Sequence, residues 1–269
     1  MSWQDAAGRR SARGLTWLTA PLIALALVAA WHLYVTEAGV SRFILPAPGQ
    51  VWEALLEILE TPSTWRHLQV TIYQTLGGFA IALVIGVGLG AVLAKLAWLE
   101  RALNPFIVAS QVVPKVALVP LFVVWFGFGP TSKVVTAAIL AFFPIFTNTL
   151  LGVKSVDLGH RDVMTTLGGT RWQSFSQLEL PSALPYILTG MEVGIVLAII
   201  GSVVGEYLGG NQGLGYMLIA KMNAFETDAL FAVIVVMTVV GFVFYAAVGL
   251  LRRLVIPWHE SVLLDRRAR

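Results

Sequence analysis

The sequence predicts an all-α polytopic membrane protein with about six transmembrane helices. Three observations predict it. The chain is 57% hydrophobic and only 12% charged, against roughly 25% charged in ordinary soluble domains. Six apolar segments are long enough to cross a bilayer at about 20 residues per spanning helix. They cover roughly residues 15–35, 70–95, 104–126, 133–152, 186–207 and 229–251. The cationic residues also fall unequally between them. With the N-terminus inside, the cytoplasmic side holds Arg9, Arg10, Arg13, Lys95, Arg101, Lys154, Arg161, Arg171, Arg252, Arg253, Arg266, Arg267 and Arg269, and the outside only Arg42, Arg66, Lys133 and Lys221. Thirteen against four places both termini and the polar stretch 157–185 in the cytoplasm. The net charge of +3 and pI near 9.3 therefore report orientation rather than nucleic acid. With no cysteine, the chain has neither a disulfide nor a cysteine-ligated metal.

The first apolar run follows Arg9, Arg10 and Arg13, as a signal peptide would. The run is long and lacks a small-residue cleavage site, so a retained first span is expected. Pro46 and Pro48 then break the chain, and Val51, Trp52, Leu55, Leu56 and Leu59 follow helical spacing with Glu53, Glu57 and Glu60 opposite. This is an amphipathic helix expected on the outer face. It either contacts an extracytoplasmic partner or simply lies at the interface. The second span carries Gly86, Gly88 and Gly90, and the fifth carries Gly190, Gly194, Gly201, Gly205 and Gly209. Four-residue glycine spacing lets helices approach closely in lipid, which argues for a compact bundle and an oligomer.

The third span is interrupted by Pro114 and Pro120 and holds Gln111 and Lys115 near its middle. A charge at that depth costs at least about 2.5 kcal/mol, which marks a functional site by default. Lys115 has three readings: a bridge to Glu192 or Glu206 on the fifth span, a seam between two copies, or a wall of a solute path. After the fifth span, Glu206 to Asp228 is expected outside, with GGNQGLGYM as a loop or partial re-entrant segment. Glu206, beside Asn211 and Gln212, either lines a path or belongs to a solvated loop. The sixth span ends at Arg252 and Arg253, a membrane-edge anchor, followed by a cytoplasmic tail.

The stretch Asp157–Pro185 is the longest polar interruption. It reads as two short helices with a turn between them. Gly168-Gly169 ends the first. Thr170 caps the second, with Gln173 at capping-box spacing. Trp172, Phe175 and Leu178 form an apolar stripe, and Pro181 and Pro185 close the unit. Such a knuckle either docks a partner or covers the helix ends.

This knuckle resembles the "EAA loop" of bacterial ABC-importer permeases, which reads Glu-Ala-Ala, three residues, Gly, nine residues, Ile-x-Leu-Pro. The glycine falls on Gly168 and the end on Leu178, Leu180 and Pro181, while Asp162, Val163 and Met164 occupy the Glu-Ala-Ala positions. PKVALVPLFVVWFG, FPIFTNTLLGVKSV (with Asn148) and LPSALPYILTGMEVGIVLAIIGSVVGEYLGGNQGLGYM resemble the same family. Jointly these blocks, over roughly residues 40 to 260, resemble the nitrate/sulfonate/taurine-type branch of binding-protein-dependent permeases.

The resemblance implies a type I ABC importer (MetI-like) permease fold, a single domain over residues 1–269, in the bacterial inner membrane. It implies three protein partners: a cytoplasmic ABC ATPase dimer, an extracytoplasmic solute-binding protein and a second permease copy. ATP and Mg then belong to the ATPase, with no cofactor on this chain. Asp162, Gly168, Thr170, Arg171, Leu178, Leu180 and Pro181 become the ATPase-coupling residues. Gln111, Lys115, Asn148, Glu192 and Glu206 become candidates for the translocation path of a small anionic solute. Independently, the sequence shows no Walker A pattern, no GxSxG elbow and no metal-ligand spacing among His32, His67, His160 and His259. The rival readings are a gated channel, which needs no docking knuckle, and an intramembrane enzyme, which needs facing acid–base groups at depth.

Overall fold

A computed structural model describes the backbone of residues 4–258, with side chains described from Thr19 onward except Leu158. The side chains of Arg9, Arg10 and Arg13, and the tail with His259, Arg266, Arg267 and Arg269, lie outside the described residues. Every regular element in the described part is helical. Among the described residues, five helices are long and apolar enough to cross a membrane, and a bent pair, taken as one span, brings the number to six.

Contacts divide the chain into two units, one of residues up to Thr61 with Ala220–Val235, the other of Pro62–Ile219 with the chain from Val236 onward. The first unit contains α1 (Gln4–Glu37) and α2 (Pro48–Glu60). Pro48 opens α2 at a position where its missing N–H costs no hydrogen bond, and Gln50 Oε1 accepts from the Ala47 N–H at 2.9 Å. The buried face of α2 is Val51, Ala54 and Ile58, while Trp52 and Leu56 are exposed. The apolar stripe expected from the sequence is therefore rotated, because small Ala54 allows closer approach than Trp52. Trp31 and Phe231 stack at 6.1 Å, and the Thr227 hydroxyl donates to the Phe43 carbonyl at 3.0 Å.

The second unit is built on α6 (Pro130–Lys154), held between α3 (Pro62–Lys95) and α9 (Leu180–Gly209). A side chain at Gly78 would meet Ala137 at 2.5 Å, and one at Gly90 would meet Thr149 at 2.8 Å. Both pairings ascend together, so α3 and α6 run parallel. Gly190, Gly201 and Gly205 of α9 instead abut Pro144, Ala137 and Lys133, so α9 runs antiparallel to α6. Lipid offers no hydrophobic reward for helix association, and these small residues bring the backbones into dispersion contact. The glycine spacing read from sequence is thus used inside one subunit. The core around it comprises Ala137, Ala141, Ile145, Ala183, Ile195 and Ala198 among others.

Parallel α3 and α6 require the chain to return between them. It does so through α4 (Ala97–Val112), a 3₁₀ turn (Lys115–Leu118) and α5 (Val119–Phe126), bent by 83°. The third span is therefore broken rather than a straight helix over 104–126. The break falls at Pro114, whose ring excludes a helical N–H.

A further difference follows α6. The chain makes α7 (Leu158–Thr166), α8 (Arg171–Gln173) and a π-helical segment (Ser174–Glu179) that runs straight into α9. Pro181 and Pro185 do not close the knuckle. Pro181 sits in the first turn of α9 and Pro185 lies inside it. The π turn, with the Leu180 N–H bonded to the Phe175 carbonyl, shifts the ladder by one residue and lets the helix pass a proline. After α9 the chain turns at Gly213 into α10 (Leu214–Asn223) and then α11 (Thr227–Val255). The segment expected as an outer loop is thus partly helical.

Candidate functional site

The knuckle occupies the end of the second unit where α3 and α6 finish. Asp157 caps α7, its carboxylate accepting from the Gly159 and His160 N–H groups at 2.7 and 3.3 Å. Gly168 ends the turn with φ of +70°, a left-handed conformation. Thr170 and Gln173 complete a capping box, Gln173 Oε1 accepting from the Thr170 N–H at 2.8 Å and Thr170 Oγ1 from the Gln173 N–H at 3.3 Å. These local expectations hold because each depends only on residues within one turn.

The expected stripe of Trp172, Phe175 and Leu178 is split. Trp172 and Leu167 stand exposed, 72% and 78%. Phe175 is half-buried beneath the Lys95 ammonium, 4.6 Å from its ring centre. The π segment has more residues per turn than an α-helix, so three-residue spacing no longer keeps one face. Asp162 and Arg171 are exposed, whereas Leu178, Leu180 and Pro181 are half-buried. Two residues that the sequence did not single out fasten the knuckle. Glu179 pairs with Lys95 at 2.9 Å, and Arg161 donates to the Val153 carbonyl at the end of α6 at 3.1 Å. These contacts tie the knuckle to the ends of α3 and α6, and its π-helical segment continues into α9.

The candidates for the path do not converge. Lys115 sits at the break between α4 and α5. Its ammonium lies 4.5 Å from the Phe143 ring centre and donates to the Gln111 carbonyl at 3.4 Å, while the Gln111 side chain is exposed. A bridge to Glu192 or Glu206 is not formed, because both acids are engaged elsewhere. Glu192, in the middle of α9, pairs with Arg252 at 3.1 Å. Arg252 is thus an internal partner as well as a residue at the edge of its span. Asn148 donates to the Pro144 carbonyl at 2.8 Å, within the α6–α9 contact.

Glu206 is buried, not part of a solvated loop. The Thr71 hydroxyl donates to its two oxygens at 2.8 and 3.0 Å, and the Gly215 N–H donates at 2.8 Å. The Leu214 N–H donates to Thr71 and the Gly213 N–H to His67 Nδ1, at 2.8 and 3.0 Å. Gly213 has φ of +105°, and a side chain there would strike the Glu206 carboxylate. Ser202 donates to Gln74 at 3.2 Å beside this group. Lys133, counted from sequence as an outer charge, is buried, and its ammonium donates to the Phe128 and Gly209 carbonyls at 2.7 and 2.5 Å. A buried carboxylate is tolerable only with such donors. One signal of this network was present in the sequence: His67, Thr71 and Gln74 recur at four- and three-residue spacing, one polar face on a largely apolar helix. Their partners on α9 and α10 carry no comparable local signal.

Comparison with known proteins bears on what this arrangement serves. Residues 82–257 match the family described as binding-protein-dependent transport system inner membrane component. The chain is 37% identical to a riboflavin transport system permease protein of Chloroflexus aurantiacus, over 94% of this chain and 95% of that one. It is 36% identical to a formylaminopyrimidine transport permease protein of Halalkalibacterium halodurans, over 89% and 95%. A putative aliphatic sulfonates transport permease protein of Bacillus subtilis is 33% identical, over 91% and 89%. In fold, the chain is similar to a solved inward-facing structure of the MetNI methionine ABC transporter, with TM-score 0.61 and 19% identity, over 72% of this chain and 98% of that one.

Proposed function

Because this chain belongs to the binding-protein-dependent transport system inner membrane component family, and is the permease subunit of an ABC importer whose ATP hydrolysis lies on another subunit, we propose how it is assembled and driven. A cytoplasmic ABC ATPase dimer docks on α7 and α8, an extracytoplasmic binding protein delivers a small solute, and two copies of the chain form the path. Both termini and the knuckle face the cytoplasm, and ATP with Mg binds only to the ATPase. The permease itself is a multi-pass protein of the inner membrane.

One observation carries the docking reading. Leu167, Trp172 and Val163 are large apolar side chains left exposed, at 78%, 72% and 55%, on the knuckle, Trp172 in the first turn of the long helix Arg171–Gly209. On the proposed cytoplasmic side water covers them, at a cost of roughly 25 cal/mol per Å². A groove on a soluble partner removes that cost. The fastening of the knuckle through Lys95–Glu179 and Arg161–Val153 then carries partner movement into α3, α6 and α9. The cargo proposed is a small solute with anionic or heterocyclic character, supported by the riboflavin, formylaminopyrimidine and sulfonate permeases among the relatives. Lys115 is proposed to line the path; among the described residues its charge is met by a carbonyl and a ring face rather than an acid.

The test is co-purification with the partner ATPase. Leu167→Asp and Trp172→Asp are expected to leave the permease in the membrane at normal level and to lose the bound ATPase. Retention of the ATPase by both variants would remove the knuckle from the interface.

A further inference from the structure

We propose that the second unit holds a binding site for one small organic anion, a carboxylate or sulfonate, at the end opposite the knuckle. The proposal rests on the importer reading and adds to it a site complete within one subunit. The site is a cavity of about 300 Å³ where α3 and α6 begin and α9 ends. Its polar lining comes from Arg66, Gln69, Tyr73 and Gln74 of α3, Lys133 of α6, and Asn211 and Gln212 after α9.

Three features select an anion. First, the described residues that line the cavity include two cations and no acid. Arg66 is exposed at the wall and makes no ion pair among those found. Lys133 is buried, with its ammonium turned to two carbonyls. The nearby acid, Glu206, lies behind the wall and is occupied by Thr71 and Gly215. Second, α6 begins at Pro130, and Gly129 and Pro130 line the cavity, so the positive end of a long helix opens on it. Third, the neutral polar lining consists of groups that can donate, the amides of Gln69, Gln74, Asn211 and Gln212 and the phenol of Tyr73, which suits the several acceptor atoms of a carboxylate or sulfonate. Gln74 is buried and oriented by Ser202, so part of the wall is pre-organised.

The turn at Gly210–Gly213 forms one side of this cavity and is itself anchored. Gly213 bonds to His67, and Leu214 and Gly215 bond to Thr71 and Glu206. The buried network thus has a use beyond stability: it holds Asn211 and Gln212 against the mouth. The cavity volume suits a compact solute with one charged head, and every lining residue comes from one chain.

The chain lacks cysteine, so one introduced thiol reports the site. The full-length Gln212→Cys permease, in lipid nanodiscs without ATPase or binding protein, is reacted with two methanethiosulfonates, one sulfonate-bearing and one trimethylammonium-bearing. Each rate is divided by the rate at the same cysteine in the unfolded chain. The anionic reagent is expected to react about tenfold faster than the cationic one. Arg66→Gln is expected to bring the ratio near unity, and Arg66→Lys to preserve it. Millimolar sodium methanesulfonate should slow labelling where equal ionic strength from tetramethylammonium chloride does not. A normalised ratio at or below one, a ratio unchanged by Arg66→Gln in a stably folded variant, or equal slowing by both salts would overturn the site. Such a failure leaves ATPase co-purification untouched, and loss of that co-purification leaves this assay untouched.

Discussion

The Thr71 hydroxyl donates to the Glu206 carboxylate at 2.8 Å while accepting the Leu214 N–H at 2.8 Å, across 135 and 143 residues of sequence. One side chain on α3 thereby joins the end of α9 to the start of α10. The arrangement satisfies a carboxylate that is 1% exposed. Removing the hydroxyl alone leaves the Leu214 N–H without its acceptor and the Glu206 carboxylate with the Gly215 N–H but without its side-chain donor from α3. Thr71→Val, which keeps the shape, is expected to cost about 1–3 kcal/mol. Thermal unfolding in detergent checks it through a lowered midpoint. An unchanged midpoint would show that water or another residue replaces the hydroxyl.

Gly168 separates a backbone role from a docking role. Its φ is +70°, and an added side chain would meet nothing within 4 Å. The penalty for substitution is therefore conformational, about 1–2 kcal/mol for a residue that resists the left-handed region. Gly168→Asn is expected to keep more ATPase binding than Gly168→Ala, since asparagine enters that region more readily. The reverse order, measured by co-purification, would mean that the partner packs directly on this position.

The partly buried pair of Glu192 and Arg252 joins α9 to α11 at 3.1 Å, with side chains 12% and 23% exposed. Arg252→Gln strands the carboxylate and is expected to destabilise by about 1.5–3 kcal/mol. Adding Glu192→Gln should recover part of the loss. A double variant as unstable as the sum of the two singles would show that the ions do not interact.

Lys115 is held by a ring and a carbonyl rather than by an acid. If its charge serves the path, Lys115→Met abolishes uptake while thermal stability and ATPase co-purification stay within error. Lys115→Arg, still a cation able to lie over Phe143, is expected to retain part of the activity. Loss of folding in Lys115→Met would assign the residue to the hinge between α4 and α5 instead.

Orientation is checked by single cysteines. Ser63→Cys, exposed at the start of α3, is expected to react with an impermeant thiol reagent in intact cells, whereas Thr166→Cys on the knuckle reacts only after lysis. The opposite pattern would invert the topology.

The sequence by itself determined the features that arise within a turn or along a span. Apolar length marked the membrane helices, and the 83° break fell where Pro114 stands in the sequence. Thr170, Gln173 and Gly168 built the cap and turn that their order implies. Only the tertiary structure decided what depends on partners distant in the chain. Glycine spacing marked Gly86, Gly90, Gly190 and Gly201 as small, but only the packing shows that α6 fills both stripes. Glu206 and Lys133 looked like outer charges because burial is not encoded next to the buried residue; it is imposed by Thr71, Gly215 and Gly209 arriving from other helices, with Phe128 in the turn before α6 adding a carbonyl for Lys133. The continuation of α8 into α9 past Pro181 was likewise decided by tertiary structure. A π turn gives up ideal α-helical geometry, and that cost is offset when the resulting helix keeps Glu179 on Lys95 and Phe175 under the same ammonium.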